Sequence, residues 1–251
     1  MLTFLKRFFR YRFTKLNTFA HNTKVNLILK DNSKTLIYIH IGKCGGITLE
    51  NAIKKSSFVQ NKFSSIFKIH VSKPPILKNG SYAIVVRNPI KRAISAFNWR
   101  YKLVVTDKIQ KNRFNGEYEI LKKYGTLNSL CEQLYLDGKL NSVVSDEFQT
   151  IHHLKENISF YLKPLLDKVS PSQLFAVFAT ETLDEDIANI LNVKNEVYIH
   201  QNSKKTSANK KYLSEKAYHN LKTYLAGDYL YLSKLLTMNN TSSADKNLLL
   251  K

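Results

Sequence analysis

The chain reads YIHIGKCGGITL from Tyr38 to Leu49, where a short apolar run passes directly into a turn with three glycines and one lysine, Lys43. Apolar runs without polar alternation are typical of strands that are buried on both faces. A helical pattern follows the turn at Ile47–Lys55. In this arrangement the glycines let the backbone curl around an anion, and the N–H groups and dipole of the helix attract it. The stretch therefore indicates a phosphate cradle at the end of a buried strand.

The order of residues in the turn differs from that of the Walker A loop, GxxxxGK[ST], in which the lysine follows the glycines. Here Lys43 precedes the glycine pair Gly45 and Gly46. Thr48 lies in the first turn of the predicted helix, where its hydroxyl can contact a phosphate oxygen or cap the helix. By itself the turn allows two interpretations, an anion cradle or a plain strand-to-helix turn.

A second segment, RNPIKRAISAF from Arg87 to Phe97, follows another apolar run. Asn88 and Pro89 predict the start of a helix, because proline is well suited to the first helical position. Arg87 ends the strand and Ser95 lies two turns into the helix, so both can face the crevice at the carboxyl end of a parallel sheet. A guanidinium there can bind a second phosphate through paired donors. The alternative for Arg87 is a surface ion pair.

Strand-like runs and helical patterns alternate along the chain. The strand-like runs lie at Thr35–Ile41, Tyr82–Val86, Leu174–Ala179 and, more briefly, Val197–Ile199. The helical patterns lie at Ile47–Lys55, Ile90–Leu103, Tyr118–Leu136, Glu147–Leu162, Leu183–Leu191 and Ser214–Leu236. This alternation predicts an α/β fold, a single domain with a central parallel sheet flanked by helices. We assign that domain to residues 35–236, a basic segment to 1–34 and a flexible polar tail to 237–251.

The composition limits the possible function classes. The chain has 251 residues, of which 43% are hydrophobic, so disorder of the whole chain is excluded. Lys and Arg number 39 against 19 Asp and Glu, and the formal charge of +20 indicates a polyanionic partner: nucleic acid, a phosphorylated small molecule, an acidic glycan or an anionic membrane surface. Two cysteines exclude a multi-disulfide scaffold and a four-cysteine zinc site. We expect no membrane span, and Met1–Lys15 is either an amphipathic helix on a membrane surface or a charged N-terminal helix.

Together the two segments resemble the carbohydrate sulfotransferases that use 3′-phosphoadenosine 5′-phosphosulfate as donor. The second segment matches every fixed position of that family's 3′-phosphate motif, R-[DN]-P-x-x-R-x-x-S-x-[YF]. The glycine turn is similar to the family's 5′-phosphosulfate loop, with three departures: Gly42 where proline is usual, Cys44 where Thr or Ser is usual, and Ile47 where Thr is usual. The missing hydroxyl at Ile47 implies a cradle that depends more on backbone N–H groups.

The resemblance implies a P-loop-like sulfotransferase fold and a set of site residues. The residues implied to bind the donor are Gly42, Lys43, Cys44, Gly45, Gly46, Ile47, Thr48, Arg87, Ser95, Lys204 and Lys205. Lys43 is implied to stabilise the charge on the leaving phosphate, and adenosine 3′,5′-bisphosphate is the implied product. Glu181 resembles the family's strand-end glutamate and either orients a basic side chain or forms a structural ion pair. We expect no metal ion, since the chain lacks a CxxC pair and the paired carboxylates that hold Mg²⁺.

Seven histidines are candidates for the base that deprotonates the acceptor hydroxyl. His70 lies between the two phosphate motifs, in a context similar to that of the catalytic histidine of related glycan sulfotransferases, and a neutral imidazole suits this task near neutral pH. The alternative is that His70 merely ends a short strand. His152 and His153, on the helix predicted over 147–162, compete for the role, whereas we expect His40 to be a satisfied core histidine.

The expected function is transfer of a sulfuryl group to a hydroxyl of a carbohydrate acceptor, a polysaccharide or glycolipid that we expect to be anionic. Two other classes stay open: a nucleotide or small-molecule kinase on a related fold, and a non-enzymatic nucleic-acid-binding protein. The lysine-before-glycine order argues against the kinase, and no DNA- or RNA-binding motif supports the other class. The lack of a signal anchor favours a cytoplasmic enzyme, with peripheral contact to the inner membrane face left open.

Overall fold

Four parallel strands form the centre of the computed structural model, which describes residues 33–193 and 211–251. They are β1 (Thr35–His40), β2 (Ser65–Ile69), β3 (Ser81–Val86) and β6 (Leu174–Ala179), in the spatial order β2-β1-β3-β6, and β4 (Tyr135–Leu136) and β5 (Lys139–Leu140) form a separate hairpin. The chain moves from β1 outward to β2 and then crosses to β3 on the other side of β1. The direction of winding therefore reverses between β1 and β3, the place where open parallel sheets bind ligands at their carboxyl ends.

Helices flank this sheet. They are α1 (Gly46–Lys55), α2 (Ser57–Lys62), α3 (Pro89–Tyr101), α4 (Glu117–Tyr124), α5 (Leu127–Glu132), α6 (Ser142–Thr150), α7 (Ile158–Leu166), α8 (Leu183–Leu191), α9 (Glu215–Tyr224), α10 (Ala226–Met238) and α11 (Ser243–Leu250). A π-helical turn, Lys102–Thr106, continues α3, and a 3₁₀ turn, Pro171–Gln173, precedes β6. Several helices begin at a side chain that accepts a backbone N–H; Asn88, for example, caps α3.

Buried side chains form two groups. One lies around the sheet and the helices beside it and includes Ile37, Val85 and Phe178. The other joins α3 to α4, α5, α6 and α9 and includes Phe97 and Phe148. β1 is buried along its whole length, which agrees with its unbroken apolar run. The predicted α/β fold with a central parallel sheet flanked by helices is confirmed.

Three helices predicted from long apolar patterns are interrupted. The pattern over 118–136 is divided into α4 and α5 at Gly125, whose φ of 69° ends the first helix. The pattern over 147–162 is broken between α6 and α7 by a loop in which His153 has a φ of 68°. The pattern over 214–236 is divided into α9 and α10. The apolar spacing continues across such turns when both halves pack on a core, so periodicity alone does not locate the breaks.

Other parts of the chain also differ from expectation. β2 is not among the predicted strands, because its sequence SIFKI is short and contains a lysine. In place of a flexible tail at 237–251, the structure has the end of α10 and then α11, whose Leu249 is buried in the core of the sheet. Most of the basic segment and the run at Val197–Ile199 lie outside the described residues. None of the helices within 33–193 and 211–251 combines the length and apolarity that crossing a bilayer requires.

Candidate functional site

The candidate functional site lies at the carboxyl ends of β1 and β3. His40, the last residue of β1, pairs with Val85 of β3, so the turn that follows β1 lies beside Arg87, which follows β3. This is also the point at which the winding of the sheet reverses. The structure thus brings the two sequence motifs together, as the sequence analysis predicts.

The glycine turn leaves the start of α1 without a side-chain cap. Lys43 and Gly45 have left-handed backbone conformations, with φ values of 71° and 77°, and among the described residues no side chain caps the N–H groups at the start of the helix. The first N–H groups of a helix have no partner within it. In α1 these include the amides of Ile47 and Thr48, which together with the helix dipole attract an anion.

Two of the glycines allow a histidine ring to approach the backbone. A Cβ on Gly46 would lie 2.0 Å from Cδ2 of His40, and a Cβ on Gly42 would lie 2.5 Å from Nδ1 of His153. A side chain at either position would therefore displace a histidine. The ring of His153 therefore leaves no room for a side chain at position 42, proline included.

The other two departures from the family motif place side chains in opposite environments. Cys44 is fully buried, burial raises the pKa of its thiol to about 12, and its backbone N–H donates to the carbonyl of Ile41. Ile47 is 43% exposed at the start of α1. Thr48, which is half-buried, is left to supply a hydroxyl in the first turn of the helix.

Three basic side chains gather at the turn: Lys43, Arg87 and Arg92. The Lys43 ammonium lies 4.5 Å from the ring centroid of Trp99, and Nη1 of Arg87 donates to the carbonyl of Lys43 at 3.3 Å. Burial, reinforced by the two arginines, lowers the pKa of Lys43 to about 8. Among the described residues, no carboxylate forms an ion pair with any of the three. Positive charge concentrated in this way favours the binding of an anion.

Arg92 holds the turn in place. Its buried guanidinium donates from Nε to the carbonyl of Gly42 at 3.0 Å and from Nη2 to the carbonyl of His153 at 2.7 Å, and Nη2 also contacts the carbonyl of Glu156. One side chain therefore ties the glycine turn to the loop between α6 and α7. The second arginine of the motif has a positioning role.

One face of α3 is directed towards the glycine turn. Arg92, Ser95 and Trp99 are three and four residues apart, so they lie on the same side of the helix. Because Arg92 and Trp99 both contact the turn, the half-buried Ser95 between them faces it as well. Trp99 is not among the site residues predicted from the sequence, although its helical spacing from Ser95 is a usable signal.

Four histidine rings lie in a row beside the turn. The ring centroids are 4.5 Å apart for His40 and His70, 5.8 Å for His70 and His153, and 4.2 Å for His153 and His152. His40 ends β1 and is buried, yet its Nδ1 has no hydrogen-bond partner in the part of the chain that the structure describes. The expectation of a satisfied core histidine is therefore wrong in that respect. Burial lowers the pKa of His40 to about 3, so its ring is neutral.

The environment of His70 determines which of its nitrogens is free. Its Nδ1 lies 3.0 Å from the backbone carbonyl oxygen of His40. Since that oxygen can only accept, Nδ1 carries the proton and Nε2 keeps a free lone pair. Burial, together with the nearby Lys68, lowers the pKa of His70, and the bond to His40 only partly opposes this. His70 does end a short strand, β2, and it also lies in the site.

His152 and His153 lie in the loop after α6 and not on a helix as predicted. Nδ1 of His152 is 3.1 Å from a carboxylate oxygen of Glu156, which also accepts the N–H of His153. These three side chains place potential metal ligands within 4.8 Å of one another. Burial, together with His152 and Arg92 beside the ring, lowers the pKa of His153.

Glu181 lies two residues after the end of β6, and its carboxylate contacts the backbone just after β3. Its Oε1 accepts the N–H of Asn88 at 3.2 Å, whereas its Oε2 is buried and has no hydrogen-bond partner among the described residues. The same holds for Nε of Arg87. The structural ion pair that the sequence analysis allowed for Glu181 does not form within the described part of the chain.

A scan against protein-family models gives no match, and a search among curated proteins gives no significant one. The likeness to sulfotransferases therefore depends on the two sequence motifs alone. Lys204 and Lys205, which the resemblance implies as donor ligands, lie outside the described residues.

Proposed function

We propose that this protein is a sulfotransferase that moves a sulfuryl group from 3′-phosphoadenosine 5′-phosphosulfate to a hydroxyl of a carbohydrate, and that its parallel sheet is the P-loop-like sheet of that family. The observation that carries the proposal is the cluster of Lys43, Arg87 and Arg92 at the glycine turn, with no carboxylate partner in the described chain. A cation cluster at the reversal point of a parallel sheet is suited to a phosphorylated ligand.

The residues present fit a donor that carries anionic groups at both ends. The amides at the start of α1 and the Lys43 ammonium form one set of donors for its 5′ end. Arg87, whose Nε is buried and unpartnered, and the Ser95 hydroxyl form a second set for its 3′-phosphate. Two separate sets match a donor with two separate anionic groups better than they match a single phosphate.

Lys43 has the principal catalytic role in this proposal. In an in-line displacement at sulfur, negative charge builds up on the leaving phosphate oxygen, and a fixed cation beside that oxygen lowers the barrier. The contact with Trp99 limits the positions that the Lys43 ammonium can take. The charge is therefore preorganised before the reaction begins.

His70 is the proposed general base. Its Nδ1 is held by the His40 carbonyl, which leaves Nε2 to accept the proton of the acceptor hydroxyl. The acceptor that we propose is an anionic glycan, because the formal charge of +20 exceeds what the donor alone requires. The same excess suits peripheral contact with an anionic membrane surface.

The proposed donor site is tested by ligand-dependent thermal stability. We expect adenosine 3′,5′-bisphosphate to raise the melting temperature without Mg²⁺, because ligands that bind only the folded state stabilise it. A kinase would instead respond to Mg·ATP. A nucleic-acid-binding protein would show tight DNA binding as its main activity and no response to the bisphosphate. The absence of any shift with saturating bisphosphate would contradict the proposal.

The affinity for the bisphosphate is also expected to depend on pH. Lys43 has a pKa of about 8 in the free protein, and a bound anion favours its charged form. Binding therefore becomes weaker as pH rises through 8, and we expect about tenfold lower affinity at pH 9 than at pH 7. Calorimetry over this range measures the change. The Lys43→Gln variant should bind more weakly at pH 7 and lose most of the dependence, whereas Lys55→Gln should keep it.

A further inference from the structure

Two unpartnered polar atoms lie at neighbouring strand ends in the candidate site. β3 and β6 pair in parallel with Val86 opposite Ala179, and both the N–H and the hydroxyl of Thr180 donate to the carbonyl of Val86. Arg87 follows the first strand directly, and Glu181 follows Thr180. The bond from the N–H of Asn88 to Oε1 of Glu181 then holds the carboxylate beside the Arg87–Asn88 peptide.

One of these atoms is a donor and the other an acceptor. Nε of Arg87 and Oε2 of Glu181 are both buried, and neither has a hydrogen-bond partner among residues 33–193 and 211–251. Within the described residues the two side chains do not form an ion pair with each other. Buried polar atoms without partners destabilise a protein, so such a pair indicates a ligand that completes both.

We propose that Glu181 recognises the ribose 2′-hydroxyl of the donor while Arg87 holds the neighbouring 3′-phosphate. The inference rests on the proposed function and extends it to sugar specificity. A 3′-phosphate beside a free 2′-hydroxyl presents an acceptor next to a donor, the complement of Arg87 and Glu181. A carboxylate accepts a hydrogen bond from a ribose hydroxyl and repels a phosphate in the same place.

The position of Arg87 decides between the possible donor groups of the ligand. An amino group on the base is also a hydrogen-bond donor, but it is separated from the 3′-phosphate by the ribose. The 2′-hydroxyl is on the adjacent carbon. Because Glu181 is fixed beside Arg87 through Asn88, the hydroxyl is the group that both side chains can reach together.

The test compares three probes by calorimetry on the full chain: adenosine 3′,5′-bisphosphate, its 2′-deoxy analogue and adenosine 2′,5′-bisphosphate. We expect the wild type to bind adenosine 3′,5′-bisphosphate about tenfold more tightly than the 2′-deoxy analogue, because the analogue lacks a hydrogen bond to a charged group. The wild type should bind adenosine 2′,5′-bisphosphate most weakly of the three. Glu181→Ala should bind the first two equally. Glu181→Gln keeps an acceptor for the N–H of Asn88 and removes the charge, so it should bind the 2′,5′-bisphosphate better than the wild type does.

A control variant and the possible negative results distinguish failure of this inference from failure of the proposed function. Glu185→Gln makes the same change at an exposed position on α8 and should leave all three affinities unchanged. Equal binding of the first two probes by the wild type, or a preference that survives in Glu181→Ala, would overturn the role of Glu181 and leave the donor site intact. Failure of all three probes to bind would overturn the proposed function itself. If Glu181→Ala does not fold, the test is the affinity of Glu181→Gln for adenosine 2′,5′-bisphosphate, which should be higher than that of the wild type.

Discussion

Replacing Lys43 with alanine is expected to lower the rate of sulfuryl transfer by roughly 100- to 1,000-fold, which corresponds to about 2.7–4 kcal/mol of transition-state stabilisation. The ammonium is half-buried beside Trp99 and has no carboxylate partner in the described chain, so its charge is available to the leaving oxygen. Charge on that oxygen grows as the bond to sulfur breaks. The loss should therefore appear mainly in kcat, measured with labelled donor and a glycan acceptor.

Two further variants show whether position and shape matter in addition to charge. Lys55→Ala removes an exposed lysine at the end of α1 and should leave the rate unchanged. Lys43→Arg keeps the charge but replaces a compact ammonium with a planar guanidinium, so it should restore only part of the rate. The melting temperature of each variant reports whether the fold is retained. A Lys43→Ala rate within tenfold of the wild type would contradict the assignment.

Three of the four strands of the central sheet, β1, β3 and β6, and the turn after β1 could be predicted because their signals are local. A run such as Thr35–Ile41 is apolar at nearly every position, as a strand buried on both faces requires. Gly45 and Gly46 mark the turn for the same reason, since the left-handed φ of Gly45 and the approach of His40 to Gly46 are properties of single positions. The location of Arg87 then follows from the end of a strand that is easy to recognise.

The rest of the site could not be predicted because it depends on contacts between distant segments. The sequence motif names Arg92 but does not show that its guanidinium bonds to the carbonyls of Gly42 and His153, which are 50 and 61 residues away. His70 follows a strand too short and too polar to be recognised. His152 and His153 were placed on a helix, because the apolar spacing continues through the loop that holds them.

Replacing His70 with alanine is expected to lower the transfer rate by roughly 100- to 10,000-fold, the usual contribution of a positioned general base. In the wild type the rate should fall at acid pH, as Nε2 becomes protonated and can no longer accept the acceptor's proton. Burial lowers the pKa of His70, so this acid limb should lie below pH 6.5, the ordinary value for histidine. The limb should be missing from the residual activity of the variant.

Variants of the other histidines distinguish a general base from a histidine whose ring contributes only to packing. His219→Ala changes an exposed residue on α9 and should have no effect on rate or profile. His153→Ala removes a ring packed against Gly42 and should lower the melting temperature while the acid limb stays in place. A large loss in His152→Ala, combined with a retained acid limb in His70→Ala, would move the base to the ring beside Glu156. The bond from Nδ1 of His70 to the carbonyl of His40 argues for His70, because it leaves Nε2 as an acceptor without help from any ionisable group.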